Sequence, residues 1–472
     1  MPDLLILFTI PFVMAVLLSI LPISSEKILK KIAVGFSTIP LLILLSQHTH
    51  LVGANIDYNW IPTLSIRFHL NVDALSLIFL YITCFIIPIS LTIAPVSRLF
   101  YSLVFILQGL LIGFFTAADL ALFTIFWEAM LLPLYFIINL WREKKHSSAA
   151  MQFLIYMIAG SVFMIAAVLS LYFSATTFDI KSLATIAQNV PHAALIGAVF
   201  FLAFAVKAPL FPFHAWLPDA YCAAPASGTI LLSAILSKAG IYGILRVGIP
   251  FFPMLIQQWG PVLLGLSITG VLYGALAAWA QNDFKRLLAY SSFSHVNFIL
   301  VGLFIWSDLA HTGAIIQTVN HAVVITGLFM MGSYLEREIK TTSITEMSGV
   351  ASFLPKLCWL TLFFVLASVA VPGTNNFVGE LLIFLALFNQ NIPWLTPLLG
   401  LSIILSVIYM LQWMKKSFFG PAAPPDKNYT DIKAKQMLVA LPLVILILWI
   451  GIYPAPLIST AQNALAAIME AK

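Results

Sequence analysis

Runs of about 20 mostly apolar residues recur along almost the whole chain, and this is the length that an α-helix needs to cross the hydrocarbon core of a bilayer. Of the 472 residues, 61% are hydrophobic and 9% are charged, whereas a typical soluble domain has about 25% charged residues. So few polar groups cannot cover a water-exposed surface. The sequence therefore predicts an all-α polytopic membrane protein, and it excludes a disordered chain, a disulfide scaffold and a nucleic-acid-binding protein.

The apolar runs predict about 14 transmembrane helices. The second run is short for a full crossing, and the twelfth is too long and is broken internally. The predicted spans cover residues 4–22, 32–46, 73–94, 99–117, 120–140, 149–173, 192–212, 225–247, 260–281, 286–304, 310–335, 357–390, 393–413 and 437–457.

Basic residues predict the orientation of these spans, because inner loops of membrane proteins are enriched in Lys and Arg. With both termini on the outer (periplasmic) side, 17 of the 23 Lys and Arg residues fall in inner loops. The first span is expected to be retained, because no basic residue precedes it and Lys27, Lys30 and Lys31 follow it. We expect the chain to lie in the inner (plasma) membrane of a bacterium.

Six ionisable side chains lie in the middle of apolar spans, where a charge costs about 2.5–3.5 kcal/mol on insertion scales. A static buried ion pair could explain one of them, but buried pairs are weak stabilisers and would leave the others unexplained. The histidines could hydrogen-bond neighbouring helices, relay protons or, less readily, bind heme. The six candidate proton-transfer residues are Glu128, Lys207, Lys238, His295, His321 and Glu380.

Two spans contain proline-rich breaks beside these charges. In the seventh span, Pro209 and Pro212 follow Lys207, and in the twelfth, Pro372 and Gly373 precede Glu380. Discontinuous helices of this kind form transport sites in membrane proteins. The breaks are five spans apart, and an odd offset reverses direction through the membrane. Helices 4–8 and 9–13 are therefore predicted to be inverted repeats.

The chain is therefore predicted to consist of four parts. Residues 1–97 carry helices 1–3, and residues 98–250 form the first repeat. Residues 251–415 form the second repeat, and residues 416–472 hold an inner loop, helix 14 and the C-terminal tail. Three isolated cysteines, Cys84, Cys222 and Cys358, indicate no zinc or iron–sulfur site, so no metal is predicted.

Five motifs along nearly the whole chain resemble the antiporter-like subunits of proton-pumping NADH:quinone oxidoreductase, respiratory complex I, and among them the chain M (chain 4) type. A glutamate at position 380 is similar to chain M, because chains L and N usually carry lysine there. Chain L also continues into a long lateral helix. The motifs are FWEAMLLPLYF at 126–136, VKAPLFPFHAWLPDAY at 206–221, PASGTILLSAILSKAGIYGILR at 225–246, NDFKRLLAYSSFSH at 282–295 and VPGTNNFVGE at 371–380.

The resemblance implies roles for the six residues. Glu128 pairs with Lys207, Lys238 is a relay lysine, and Glu380 is the terminal titrating residue of the axis. His295 and His321 match polar positions on that axis. The Asn375-Asn376 pair departs from the serine or glycine pair that family members often have, and no loss of function is expected from this difference.

The expected function is proton translocation coupled to electron transfer in other subunits. Flavin, iron–sulfur clusters and quinone are expected in those partners and no cofactor in this chain. Chains L and N are the expected neighbours. The alternatives are a subunit of a multisubunit cation/proton antiporter, a membrane-bound hydrogenase subunit, and a structural scaffold that would tolerate neutral substitutions at all six residues.

Overall fold

A computed structural model of the chain describes residues 2–22, 25–141, 147–390, 392–421 and 429–469. About four fifths of the residues are helical, so the predicted all-α membrane fold is confirmed. Twelve helices in the described part of the chain are long and apolar enough to cross a membrane. They are Asp3–Ile20, Glu26–Ser46, Ala74–Thr92, Arg98–Thr116, Leu120–Trp141, Ala149–Ala175, Ala226–Phe251, Pro253–Trp279, Phe284–Phe304, Asp308–Ile339, Pro393–Ser417 and Ala434–Ile452.

Two further segments consist of helix pairs separated by a break. The first interrupted segment contains Ala193–Lys207 and Trp216–Ala223, and the second contains Pro355–Ser368 and Asn375–Asn389. Both breaks were predicted from their prolines. The predicted total of fourteen crossings counts each interrupted segment as one crossing, and it stays a prediction together with the inverted repeats and the orientation. Arg142, Lys144, Lys145, Lys427 and Lys472, which contributed to the orientation, lie outside the described residues.

The helix Asp308–Ile339 forms the centre of the bundle. The most apolar part of this helix is entirely buried by its neighbours, among them Phe284–Phe304 and Asn375–Asn389. By contrast, Glu26–Ser46 and Ala434–Ile452 expose most of their apolar surface. Their exposed leucine and isoleucine side chains match a lipid environment. Lys238, His295 and His321 are therefore carried by the three spans that their neighbours bury most completely.

The helix Ala226–Phe251 is irregular on both sides of Lys238. Two stretches, Leu231–Leu236 and Ile244–Gly248, have the wider π-helical turn, in which hydrogen bonds join residues i and i+5. Such bulges are rare and are frequent at functional sites. We predicted a regular helix here, because π-turns leave no clear mark in the sequence.

Two elements were missed by the sequence analysis. Strands Asn55–Ile61 and Ile66–Asn71 form an antiparallel hairpin between the second and third predicted spans, with Ile56 opposite Leu70. Apolar and polar residues alternate from Asn55 to Trp60 and throughout the second strand, and this alternation was the available signal. A helix over Ala455–Met469 also follows the last predicted span, whose helix ends at Ile452 instead of continuing to residue 457.

An ion pair joins the start of one helix to the end of another. Asp73 caps Ala74–Thr92 by accepting a hydrogen bond from the Ser76 backbone at 2.9 Å. Both of its oxygens also accept from Arg246, at 2.5 and 2.7 Å. Burial alone raises the pKa of Asp73, but the Arg246 charge and the hydrogen bonds outweigh burial and lower the pKa to about 2.

Replacement of Asp73 by asparagine is expected to lower the free energy of unfolding by about 2–3 kcal/mol at pH 7, because the folded pKa lies about two units below the usual value of about 3.9. In the wild type, this stabilisation is complete above about pH 4 and is lost as the pH falls towards 2. Thermal unfolding of the purified protein in detergent measures the effect. The control is Asp57→Asn, which breaks the more exposed pair with Arg67 and is expected to cost less than about 1 kcal/mol. Equal melting temperatures for the two variants would contradict the prediction.

Candidate functional site

Lys238 lies in the middle of the bundle with a side chain that is only 1% exposed. Its ammonium donates to the Ser233 carbonyl at 2.6 Å and to the Ser237 hydroxyl at 3.2 Å. The π-helical turn permits the first bond, which reaches back five residues. The same nitrogen lies 2.7 Å from Nδ1 of His321 on the central helix. Lys238 is therefore in direct hydrogen-bond contact with a second titratable group.

The two histidines continue from Lys238 towards Glu380. The rings of His321 and His295 are 5.8 Å apart between centroids. Nδ1 of His295 lies 3.7 Å from Oε1 of Glu380, whose side chain is 6% exposed. Lys238, His321, His295 and Glu380 thus form one row, which we call the buried row. Each member of the buried row comes from a different helix.

Amide side chains line the Glu380 end of the buried row. Gln317 donates to Oε1 of Glu380 at 3.4 Å, and Asn320 donates to the Gln317 amide oxygen at 3.4 Å. Asn320 also donates to the Asn375 carbonyl at 2.7 Å, at the start of the helix that carries Glu380. These contacts connect the central helix to the second interrupted segment.

Lys207 is the last residue of the helix before the first break and is 2% exposed. Its ammonium donates to the Trp127 carbonyl at 3.0 Å and lies 3.6 Å from the centroid of the Trp127 ring. Trp127 immediately precedes Glu128, which is also within electrostatic range of Lys207. The structure places the two predicted partners together, but as neighbours bridged by Trp127 and not as an ion pair within 4 Å.

The break after Lys207 is packed tightly against two other helices. Asn297, from the helix that also carries His295, donates to the Pro209 carbonyl at 3.1 Å. This bond satisfies a backbone oxygen in the irregular segment, as buried backbone groups require. Gly240 lies directly against the backbone of Ala208, where a side chain would overlap it. The break is thereby positioned next to the helix of Lys238.

Four of the six predicted residues therefore form the buried row, Lys207 is buried at the first break, and Glu128 lies beside Lys207 with a partly buried side chain. The sequence analysis missed Gln317, Asn320 and Asn297, because it considered only ionisable groups inside the spans. The spacing Gln317-x-x-Asn320-His321 was the available signal, since residues three and four apart share one face of a helix. Among the described residues, no group of three or more His, Cys, Asp or Glu side chains is placed to hold a metal ion.

A helical membrane fold with two broken helices and buried Lys, His and Glu side chains is typical of ion-translocating membrane proteins. Residues 117–406 match the model of a family described as NADH:quinone oxidoreductase/Mrp antiporter, TM. The chain belongs to this family.

The sequences of two curated relatives support this membership. NADH-quinone oxidoreductase subunit M of Escherichia coli strain K12 is 36% identical over 435 residues, which cover 88% of this chain and 85% of the relative. The protein of the same name from Rickettsia typhi is 33% identical over 425 residues, covering 88% and 86%. The resemblance to antiporter-like subunits of complex I is thus confirmed, and so is the prediction of a subunit of such an enzyme.

Solved structures share the whole fold. Respiratory complex I from Thermus thermophilus contains a chain that is 29% identical and superposes with a TM-score of 0.91, covering 99% of each chain. The Mrp complex from Dietzia sp. DQ12-45-1b contains a chain with a TM-score of 0.89 that covers 100% of this chain and 98% of that one. At 19% identity, the second match demonstrates a common fold alone.

Proposed function

We propose that this chain is a proton-translocating membrane subunit of an NADH:quinone oxidoreductase, of the M type. The observation that carries the proposal is the buried row from Lys238 through His321 and His295 to Glu380. Titratable groups in hydrogen-bond contact, or separated by room for one water molecule, can pass protons along a line. The names of the relatives support NADH and quinone as the substrates of the whole enzyme.

Protons are taken up from the inner side, reach Lys238 and move along the buried row to Glu380. His321 is the first acceptor, because its Nδ1 lies 2.7 Å from the lysine nitrogen. His295 then bridges His321 and Glu380. Imidazole suits this step, since it can accept a proton on one ring nitrogen and release one from the other.

Glu128 and Lys207 act as a switch on this movement. In the structure, Lys207 is held by the Trp127 carbonyl and ring, which corresponds to the separated state of the pair. Closing the pair would favour the protonated lysine, because an opposite charge nearby stabilises an ammonium. Gly240 packs against Ala208, the residue after Lys207, so a movement of Lys207 would also move the helix of Lys238.

The chain works within a larger membrane complex. Flavin, iron–sulfur clusters and quinone belong to partner subunits, so coupling reaches this chain through neighbouring membrane chains, with chains L and N on its two sides. The membrane is the inner membrane of a bacterium, and both termini face the periplasm. Residues 98–250 and 251–415 form the two inverted repeats, which is supported by one interrupted segment in each.

The replacement Glu128→Gln tests the proposal, because the amide keeps the shape of the side chain and removes its charge. NADH oxidation and proton uptake are recorded together in inside-out membrane vesicles. Both rates are expected to fall about tenfold or more while the complex stays assembled, because proton transfer limits a coupled enzyme. Glu346→Gln, at an exposed carboxylate in a loop, is the matched control and is expected to behave as the wild type.

A cation/proton antiporter is the second candidate, because the matching family description includes the Mrp antiporters. For this function, Glu128→Gln would leave NADH oxidation unchanged and reduce only sodium-dependent proton movement, measured in the same vesicles with an imposed sodium gradient. That result would replace the oxidoreductase proposal. Normal rates in every assay would exclude a role for Glu128 in either function.

A further inference from the structure

A second site with a clear chemical character lies at the predicted inner end of the bundle. A cavity of about 970 Å³ opens there between the first turns of two lipid-exposed helices and the last turn of the central helix. Five basic side chains line it: Lys27, Lys30, Lys31, Arg337 and Lys435. They come from three helices that are far apart in sequence, so the fold brings them together.

The charges in this cavity are not balanced by its own wall. None of the described residues that line it is Asp or Glu. Arg337 has one carboxylate partner, Glu338, at 3.2 Å. Lys30 lies within electrostatic range of both Arg337 and Lys435, so these like charges repel one another. An anion in the cavity would remove this repulsion, which indicates a binding site for negative charge.

The lower wall of the cavity is apolar and includes Val34, Ile93 and Val439. The helices that carry Val34 and Val439 are among those that expose most of their surface to lipid. A free phosphate ion would gain nothing from these side chains and would fill only a small part of 970 Å³. A charged rim above an apolar wall instead matches the two ends of a phospholipid.

We propose that this cavity binds an anionic phospholipid whose headgroup carries two phosphates. The phosphates contact the lysines and Arg337, and the acyl chains lie along the apolar wall. Two phosphates are favoured over one because five cations from three helices converge on the cavity. Basic pockets between transmembrane helices on the cytoplasmic side are known to suit such headgroups. The site is separate from the buried row and does not depend on the proposed function.

The experiment uses the intact membrane complex that co-purifies with the tagged chain. The complex is delipidated in detergent and titrated with cardiolipin, and the bound lipid is counted by native mass spectrometry. The test variant is the double replacement Lys30→Gln with Lys435→Gln. The matched control is Lys415→Gln with Lys416→Gln, which removes two exposed lysines from the inner end of another helix.

The test variant is expected to lose one cardiolipin per complex at subsaturating lipid and to bind at that site about thirtyfold more weakly, since each basic residue near a membrane surface contributes about 1 kcal/mol. The control is expected to match the wild type. Equal binding by all three proteins would overturn the proposal. Displacement of cardiolipin by millimolar inorganic phosphate would show that the cavity is a site for free anions. If an acidic segment of a neighbouring chain closes the cavity, the wild-type complex would bind no lipid there. Either result would also overturn it.

Discussion

Replacement of Lys238 by methionine is expected to stop proton uptake and to slow NADH oxidation in parallel. The contact of Lys238 with His321, at 2.7 Å, is the shortest distance between neighbouring titratable groups in the buried row. Methionine has a similar length and no ammonium, so the contact with His321 is lost while the volume is largely kept. Positioned proton transfer contributes about a hundredfold or more to rates, and we expect a loss of that order.

The companion variant Lys238→Arg tests whether Lys238 acts by transferring a proton or only by carrying a positive charge. A guanidinium stays protonated at every relevant pH, so it can hold a positive charge beside His321 but cannot release its proton. We therefore expect Lys238→Arg to be as inactive as Lys238→Met. If the lysine only balanced charge within the bundle, arginine would restore activity, and the relay would be wrong.

The measurement is the initial rate of NADH-driven proton uptake in inside-out vesicles, with quinone reduction recorded in the same sample. Native gel electrophoresis of the solubilised membranes, with detection of the tagged chain, measures the amount of assembled complex. Lys416→Met, at an exposed position, is the matched control. A variant that fails to assemble is identified on the native gel, and the rates of the assembled variants are divided by the amount of complex.

The buried charged residues of the candidate site and both helix breaks could be predicted from the sequence, for reasons of energy. Charged groups inside apolar helices are so unfavourable that Lys207, Lys238 and Glu380 could be recognised without any structure. Proline chemistry likewise predicted both breaks. These signals are local, since each can be read from one residue and its neighbours along the chain.

What could not be predicted depends on contacts between helices. The order of the buried row follows from four helices meeting at one depth, which no spacing within one helix encodes. The π-helical turns that direct Lys238 towards His321 carry no sequence mark. The position of Lys207 on the Trp127 carbonyl also depends on the packing of two helices, and the resemblance alone led us to expect a direct pair with Glu128.

Glu380 gives the second large expected effect. Glu380→Gln keeps the size of the side chain and can still hydrogen-bond Gln317, but it cannot take up a proton. Proton uptake and quinone reduction are expected to fall about tenfold or more, because the buried row then ends at His295. The same vesicle assay measures this effect, with complex content normalised as for Lys238.

Two further variants test whether Glu380 acts by taking up a proton or only by packing against its neighbours. Gln317→Leu removes the 3.4 Å hydrogen bond to Glu380 and leaves the carboxyl group in place, so at least half of the activity is expected to remain. Glu380→Lys exchanges one titratable group for another, as in the sibling chains with lysine there, and is expected to be more active than Glu380→Gln. The opposite order, with glutamine active and lysine inactive, would mean that Glu380 serves only to pack the second interrupted segment. Because glutamine preserves that packing better than lysine does, the order of these two activities decides whether the buried row ends in a proton-carrying group.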